Sequence, residues 1–398
     1  MLERPAWLAD EPSRLIGFAR GSRVQGGFAW LDDDGVPDPA RGAPLWITTR
    51  MTHVFALGEL LGEPGCGELV EHGLRALADT FEDAEHGGWL SDGEKRAYEH
   101  AFVLLAGSSA LAAGHARGGE LLDRACDVVE RRFWAEEEGA CRESWDAGWT
   151  RSEGYRGANA NMHMVEAFLA TGDALREAVW HKRALRIAER VIGREAAARG
   201  WRVPEHFSGD WVYLPDYNAD RPRDPFRPYG ITPGHGLEWS RLLCHLHASL
   251  VEAPAWLLDA ARGLFARAVA DGWDAARGGF AYTTGLDGQP VVEERFHWVC
   301  CEAIAAAAAL HDVTGGESFY ARWFATACEY AEHRFVDRAR GSWRHELDPS
   351  GRPSTGTWSG KPDVYHALQA ALLPAAPLAP ALAWSAAQRP GGGGSSGQ

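Results

Sequence analysis

The sequence predicts an all-α protein, an (α/α)6 barrel of about twelve helices in a single domain. Two observations support this prediction: segments with helical periodicity come in pairs, and a short unit recurs six times between them. An inner ring of apolar helices wrapped by an outer amphipathic ring accounts for both. A solenoid is the alternative, but six repeats without polar capping segments favour a closed barrel.

The recurring unit has an aromatic residue, a few acidic residues, and a glycine followed by an aromatic or a short polar strand. It occurs at Gly27-Phe28, in FEDAEHGGWL ending at Leu90, in FWAEEEGACRESW ending at Trp145, at Arg199-Gly200-Trp201, in GWDAARGGFAY ending at Tyr282 and in RFVDRARGSW ending at Trp343. Each occurrence therefore marks the boundary between one helix pair and the next.

The segments between these units carry apolar residues at i, i+3, i+4 and i+7, which is typical of helices. The more apolar set, expected to form the inner ring, is 50–62, 94–117, 157–171, 235–251, 293–314 and 361–373. The set richer in Arg and Glu, expected to form the outer ring, is 5–19, 67–82, 119–134, 174–193, 254–272 and 317–335. We therefore predict one catalytic domain over residues 1–375.

Two stretches depart from this rhythm. Residues 208–234 contain five prolines and several aromatics, so they cannot form a long helix, and we expect an ordered loop that covers the site. Residues 376–398 are rich in Pro, Ala and Gly and end in GGGGSSGQ, which is typical of a flexible linker. We therefore exclude this tail from the predicted fold.

The charge balance and the cysteines narrow the class of protein. Lys and Arg total 40 against 55 Asp and Glu, a formal charge of −15 that argues against nucleic acid or an anionic membrane as partner. Seven scattered cysteines without a CxxC pair support neither a disulfide framework nor a zinc ribbon. With no signal-peptide pattern and no long apolar run, we expect a soluble, cytoplasmic monomer or homodimer.

Near the starts of the inner helices lie polar or aromatic residues that are unusual in a purely structural core. They are Arg50, Tyr98, His100, Asn159, His163, His235, Glu238, His297, Trp298, Glu302, Lys361 and His366. If the inner helices are parallel, their N-terminal ends converge on one polar pocket. The positive potential of helix N-termini there suits an oxygen that develops negative charge.

Several of these residues also have a structural interpretation. His163 on an apolar face is typical of a core histidine. His235 and Glu238, at i and i+3, form either a tuned imidazole or a structural ion pair. His235, Glu238 and His366 could form a two-histidine, one-carboxylate metal site, but HExxH and Asp-rich metal loops are absent from the sequence. We therefore expect no metal and no cofactor.

Six motifs together resemble the N-acylglucosamine 2-epimerase superfamily, most closely its mannose isomerase and sulfoquinovose isomerase branch. They are WITTRMTHVFALG, YEHAFVLLA, GANANMHMVEAFLA, RPYGITPGHGLEWSRLL, HWVCCEAIAAA and GKPDVYHALQA, within residues 10–375. The resemblance implies an (α/α)6 barrel in which His235 and His366 are the acid/base histidines. It further implies that sugar-binding residues include Arg50, Asn159, His163, Arg227, Glu238 and Glu302, with Trp298 stacking on the sugar; we add Tyr98 from its position.

These residue types suit aldose–ketose isomerisation, because the reaction needs a base with a pKa near neutral and hydrogen-bond donors for an enediolate oxygen. We expect His366 to move the proton between C2 and C1, and His235, tuned by Glu238, to open the ring. The leading reaction is D-mannose to D-fructose, with D-lyxose to D-xylulose beside it. The competing outcome is 2-epimerisation through the same intermediate.

Two further classes remain open from the residues alone. An inverting glycoside hydrolase would use Glu238 and Glu302 as its two carboxylates, which leaves the histidines without a role. A non-catalytic protein would bind the monosaccharide without converting it.

Overall fold

A computed structural model describes residues 2–388 and confirms the all-α prediction. Within these residues the helices are α1 (Ala6–Ala19), α2 (Leu45–Leu60), α3 (Cys66–Ala76), α4 (Ala97–Ala112), α5 (Ala116–Val128), α6 (Ala158–Leu175), α7 (Ala178–Ala188), α8 (Pro233–Ser249), α9 (Trp256–Gly272), α10 (His297–Val313), α11 (Ser318–Tyr330), α12 (Tyr365–Leu372) and α13 (Leu382–Ala387). Each of the twelve predicted segments overlaps one of α1 to α12. None of the described helices is long and apolar enough to cross a membrane.

The even-numbered helices α2 to α12 form a closed inner ring. Each contacts the next, and α12 returns to contact α2, so the repeats close into a barrel rather than extend as a solenoid. The odd-numbered helices α1 to α11 pack outside them. The inner helix α10 is buried along Val299–Leu310, whereas the outer helix α3 alternates buried and exposed positions. A helix that is apolar all round is stable only when its whole surface is covered, as the ring provides.

Short two-stranded antiparallel ribbons join the repeats. Their strands are β1 (Arg23–Val24), β2 (Gly27–Phe28), β3 (Glu94–Arg96), β4 (Trp134–Ala135), β5 (Ala140–Cys141), β6 (Ser144–Asp146), β7 (Tyr155–Gly157), β8 (His206–Ser208), β9 (Thr283–Thr284), β10 (Pro290–Val292), β11 (Arg295–Phe296) and β12 (Glu346–Leu347). The pairs are β1–β2, β3–β6, β4–β5, β7–β8, β9–β10 and β11–β12. Because β3, β7 and β11 run directly into α4, α6 and α10, these ribbons set where the inner helices begin.

In four of its six occurrences, the recurring sequence unit is a turn held by a buried cation from the next repeat. The acidic residue of the turn accepts a hydrogen bond from a basic residue just before an inner helix, in the pairs Lys95–Asp83 at 2.7 Å, Arg156–Glu138 at 2.8 Å, Arg295–Asp274 at 2.7 Å and Lys361–Asp337 at 3.0 Å. A buried cation needs such a partner. Lys361, one of the polar residues at the helix starts, therefore stabilises the fold.

Glycines allow the inner and outer helices to approach closely where α4 crosses α5. A Cβ at Gly118 would lie 2.7 Å from the backbone nitrogen of Leu111, and one at Gly107 would lie 3.1 Å from the backbone of Leu122. Neither backbone could move aside cheaply. Only glycine permits this crossing distance.

The prediction of a flexible tail is wrong for residues 376–388, the part of the tail that the structure describes. Helix α13 packs against α2, α4 and α6 at the end of the barrel where the inner helices finish. The carbonyl of Leu378 accepts a hydrogen bond from His245, and the backbone nitrogen of Ala381 donates to Asp173. The small and apolar residues that resemble a linker cover this end of the barrel instead. The rest of the predicted tail, 389–398, lies outside the described residues.

Candidate active site

The starts of the inner helices surround one cavity at the opposite end of the barrel from α13. Eight of the ten predicted site residues line it: Arg50, Tyr98, Asn159, His163, His235, Glu238, Trp298 and His366. Pro225, Phe226 and Pro228 of the proline-rich loop line it too, together with Trp46 and Trp358. Part of the loop that we expect to cover the site therefore forms a wall of this cavity.

His235 is held by a carboxylate that no sequence pattern marks. Its Nδ1 lies 2.9 Å from each carboxylate oxygen of Glu205, and both side chains are buried. A carboxylate only accepts hydrogen bonds, so Nδ1 carries the proton and Nε2 is the basic nitrogen. The hydrogen-bond partner of His235 is thus Glu205 and not Glu238, because Glu205, in a neighbouring loop, lies within hydrogen-bond distance of the imidazole.

His366 has an equivalent partner on another helix. Its Nδ1 donates to Oε1 of Glu302 at 3.0 Å, while Oε2 of Glu302 accepts from Nε of Arg241 at 2.8 Å. Burial alone would raise the pKa of Glu302, but Arg241 and the hydrogen bond from His366 outweigh burial and lower it. Glu302 therefore stands ionised behind His366, and it does not line the cavity.

The indole of Trp298 contacts both histidine rings. Its ring centroid lies 5.3 Å from that of His235 and 5.8 Å from that of His366, with interplanar angles of 35° and 38°. Gly234 lies directly beneath the indole, where a Cβ would come within 2.5 Å of two ring carbons. The absence of a side chain at Gly234 thereby leaves room for the ring in contact with both histidines.

Arg50 places a positive charge at the side of the cavity. It donates to the Tyr98 hydroxyl at 2.8 Å and to Asp363 at 3.3 Å, and its guanidinium lies 4.4 Å from the centroid of Phe102. Asp363 also accepts from the backbone nitrogen of Tyr365 at 2.9 Å, at the start of α12. A guanidinium held this way is a preorganised donor for an oxygen that gains negative charge.

His163 and Glu238 contribute neutral groups to the cavity wall. Burial lowers the pKa of His163 to about 4, so the ring is uncharged near neutral pH. Burial, with the charge of Glu302 added, raises the pKa of Glu238 well above its usual value. Both side chains are buried, and Nδ1 of His163 lies 3.8 Å from Glu238. They can exchange hydrogen bonds with hydroxyl groups without adding charge.

One group of potential metal donors occurs among the described residues. Single donor atoms of His163, Glu166 and Glu238 lie within 4.8 Å of one another. Arg241 lies 3.6 Å from a carboxylate oxygen of each of the two glutamates. Since the guanidinium of Arg241 already supplies a positive charge beside these carboxyl groups, we assign the three residues to its surroundings and not to a metal site. This group differs from the metal site of His235, Glu238 and His366 that we considered from the sequence.

Two predicted or candidate residues lie elsewhere. Arg227 lines a larger outer cleft of about 1230 Å³ that adjoins the cavity, and it forms a two-point salt bridge with Glu153 at 2.8 and 2.9 Å. Its role in binding substrate stays a prediction. His100 is buried against Phe133, and its Nδ1 donates to the carbonyl of Arg96. This histidine orients the start of α4.

Sequence reasoning missed three residues that complete the site: Glu205, Arg241 and Asp363. Glu205 lies in a loop without periodicity, so no pattern marks it. Arg241 could have been found, because it is a charge on an apolar inner helix at i+6 from His235. Asp363 lies three residues before His366 within GKPDVYHAL, where a helix N-cap is the simpler interpretation.

Comparisons with known proteins identify relatives of this chain. The family model described as N-acylglucosamine 2-epimerase matches residues 26–370. The chain is 54% identical to a D-mannose isomerase of Thermobifida fusca, over 95% of this chain and 96% of that protein. It is 49% identical to a D-mannose isomerase of Pseudomonas cannabina pv. alisalensis, over 95% and 94%.

Solved structures share the fold. A crystal structure of D-mannose isomerase superposes with a TM-score of 0.87 at 28% identity, covering 94% of this chain and 99% of that one. A cellobiose 2-epimerase from Spirochaeta thermophila superposes with a TM-score of 0.81 at 22% identity, covering 93% and 95%. The matched family model spans most of the barrel and includes both histidines, and the chain belongs to the N-acylglucosamine 2-epimerase family.

Proposed function

We propose that the protein is an aldose–ketose isomerase that converts D-mannose to D-fructose, and D-lyxose to D-xylulose as a further reaction. The observation that carries the proposal is the pair of histidines in one cavity, each backed by a buried carboxylate and each in ring contact with Trp298. The names of relatives at 54% and 49% identity support the choice of D-mannose.

His366 is the base that removes the C2 proton and returns a proton to C1. Its Nδ1–H donates to Glu302, so Nε2 is free to accept the proton, and the ionised carboxylate stabilises the imidazolium that forms. The C2–H bond breaks toward the ring nitrogen, and its electrons form the C1=C2 bond of the cis-enediolate. Arg50 stabilises the negative oxygen.

His235 serves the other steps of the reaction. With Nδ1–H fixed on Glu205, its Nε2 takes the proton of the anomeric hydroxyl during ring opening and relays protons between the sugar oxygens. Neutral His163, neutral Glu238 and Asn159 bind the remaining hydroxyl groups. The indole of Trp298 offers an apolar face to the C–H side of the sugar.

Epimerisation is the competing outcome, because the same enediolate gives the C2 epimer if a proton is added to the opposite face of C2. The isomerase outcome needs one base to reach both C1 and C2. Incubation with D-mannose in the presence of EDTA, followed by separation of mannose, fructose and glucose, distinguishes the two. Fructose alone supports the isomerase, and glucose without fructose supports the epimerase. If neither forms, the proposal is wrong.

The role of His366 has a separate test. His366→Asn should abolish deuterium exchange at C2 in D2O, because the amide cannot act as the base for this proton. Unchanged exchange in this variant would remove His366 from the mechanism. Release of reducing sugar from a mannose oligosaccharide by the unmodified protein would instead indicate a glycoside hydrolase.

We place this activity in the cytoplasm, in a monomer or homodimer that needs no metal. The seven cysteines are buried and unpaired, which suits a reducing compartment. Retention of activity after EDTA treatment tests the metal prediction, and size-exclusion chromatography with light scattering tests the oligomeric state.

A further inference from the structure

Arg241 lies beneath the candidate active-site cavity, six residues after His235 on α8. Only 3% of its side chain is exposed. It lines a second, small cavity of about 50 Å³ toward the α13 end, together with His53, Ser109 and Glu166. The guanidinium therefore belongs to a layer that separates the site from the far end of the barrel.

This guanidinium lies close to three carboxylates from three inner helices, two of them buried and the third, Glu166, with 11% of its side chain exposed. Its Nε donates to Glu302 of α10 at 2.8 Å, while its two terminal nitrogens lie 3.6 Å from Glu166 of α6 and from Glu238 of α8. Glu166 also accepts hydrogen bonds from Tyr365 and from Gln369. The direct contact is thus with Glu302, the carboxylate that holds His366.

The three carboxyl groups differ in how many hydrogen bonds they accept. Oε1 of Glu238 and the Nη2 of Arg241 that faces it have no hydrogen-bond partner among the described residues, whereas Glu302 and Glu166 are fully engaged. One buried guanidinium cannot compensate three carboxylate charges, because an uncompensated charge in the interior is strongly destabilising. Glu238, whose Oε1 accepts no hydrogen bond, is therefore the carboxyl that keeps its proton.

We propose that Arg241 is a positioning residue for the reaction, holding Glu302 ionised against His366 and leaving Glu238 as a neutral carboxyl in the cavity wall. It touches no substrate and acts through Glu302. The proposal rests on the proposed function, since it assigns a task to His366.

Other ionisable groups face His366 and define its surroundings. They are Glu302 and His297 on α10, Arg241 and Glu238 on α8, His163 on α6, Arg50 on α2, His345 before β12, and Asp363 and Tyr365 beside it. His163, His297 and His345 have pKa values lowered by burial and stay neutral near pH 7. Arg241 is thus the cation whose removal most directly changes the charge on the His366–Glu302 pair.

The test measures kcat/KM against pH for Arg241→Met and Arg241→Lys. Removing the positive charge makes the His366–Glu302 pair as a whole take up a proton at higher pH, whichever of the two groups holds it, so the acid limb should move up by about one pH unit in Arg241→Met. Arg241→Lys should return the acid limb to its original position while kcat stays low, because an ammonium lacks the planar fork. An acid limb that stays in place while the rate falls equally at every pH would show a merely structural role.

Glu302→Gln completes a double-mutant cycle and keeps the side-chain shape if Arg241→Met fails to fold. This variant should move the acid limb to lower pH, and adding Arg241→Met to it should produce a smaller shift than in the unmodified protein. Equal shifts in both backgrounds would overturn the action through Glu302. Arg262→Met, at an exposed salt bridge on α9, is the control for loss of an arginine.

A measurement without substrate separates this proposal from the proposed function. The ring signals of His366, assigned by comparison with His366→Asn, should report proton uptake by the His366–Glu302 pair at higher pH in Arg241→Met. This shift is expected whichever sugar reaction the protein catalyses. A titration that Arg241→Met leaves unchanged would overturn the positioning role even if mannose isomerisation is confirmed.

Discussion

Glu205 holds His235 through two 2.9 Å contacts across thirty residues of chain. The backbone carbonyl of Glu205 also accepts a hydrogen bond from Ala158, the first residue of α6, and its side chain accepts from the backbone nitrogen of Thr232 just before α8. One residue thus ties together the starts of two inner helices and fixes the tautomer of a histidine in the site. Glu302 likewise fixes the tautomer of His366.

Glu205→Gln should reduce kcat by about 10²-fold or more, because an amide can present its NH2 group and stabilise the wrong tautomer of His235. The shape of the side chain is kept, so the far-ultraviolet circular dichroism should not change. Steady-state kinetics on D-mannose provide the measurement. Glu252→Gln, at an exposed position after α8, is the matched control. A kcat equal to that of the control would exclude Glu205 from catalysis.

Gly234→Ala should lower kcat/KM at least about tenfold, which corresponds to about 1.4 kcal/mol of transition-state stabilisation. The added Cβ would lie 2.5 Å from the Trp298 ring and 2.8 Å from Val299, so the indole must move from its place against the two histidines. Gly236→Ala, two residues later, tests helix propensity alone, since its Cβ meets nothing closer than Ala268 at 3.4 Å. Equal kinetics for both variants would contradict this role of the glycine.

Stability should fall as the pH is lowered from about 6.5 to 4. Burial lowers the pKa of His53, His100, His163 and His245 to about 4, below the usual 6.5. The unfolded chain therefore binds more protons than the folded chain in this window, and each such histidine costs about 2 kcal/mol at pH 5. Above pH 6.5 this effect disappears, because the histidine is neutral in both states.

Urea unfolding between pH 7 and pH 4.5 checks this prediction. His100→Gln should make the dependence on pH less steep by one proton, although it lowers stability overall. Replacement of the exposed His333 is the control and should leave the slope unchanged. A slope that His100→Gln does not alter would show that this histidine is not neutral in the folded protein.

Removal of residues 376–398 should lower stability by on the order of 3 kcal/mol, because it uncovers apolar surface at the closed end of the barrel. The contacts of α13 with α2, α4 and α6 and the bond from His245 to Leu378 are lost together. Thermal unfolding should show a Tm lower by several degrees. A shorter deletion, 389–398, removes none of the described contacts and should leave the Tm unchanged.

The twelve-helix barrel could be predicted from the sequence because its determinants are local. Apolar periodicity identified α1 to α12, and the glycine turns marked where the pairs meet. The site residues on the inner helices could also be predicted, since a polar side chain such as His366 on an apolar helix is costly to bury without a partner or a ligand. The parallel inner ring then brings these residues to one end.

Only the tertiary structure decided which groups are partners. Glu238, at i+3 from His235, was the predicted tuner, yet Glu205 reaches the imidazole from a loop, and Glu238 faces Arg241 and His163 instead. Spacing along a helix shows which residues share a face, but it does not show which neighbouring element comes closer. Hydrogen bonds and pKa values depend on distances of a few ångströms between segments far apart in the chain, and closure of the ring fixes those distances.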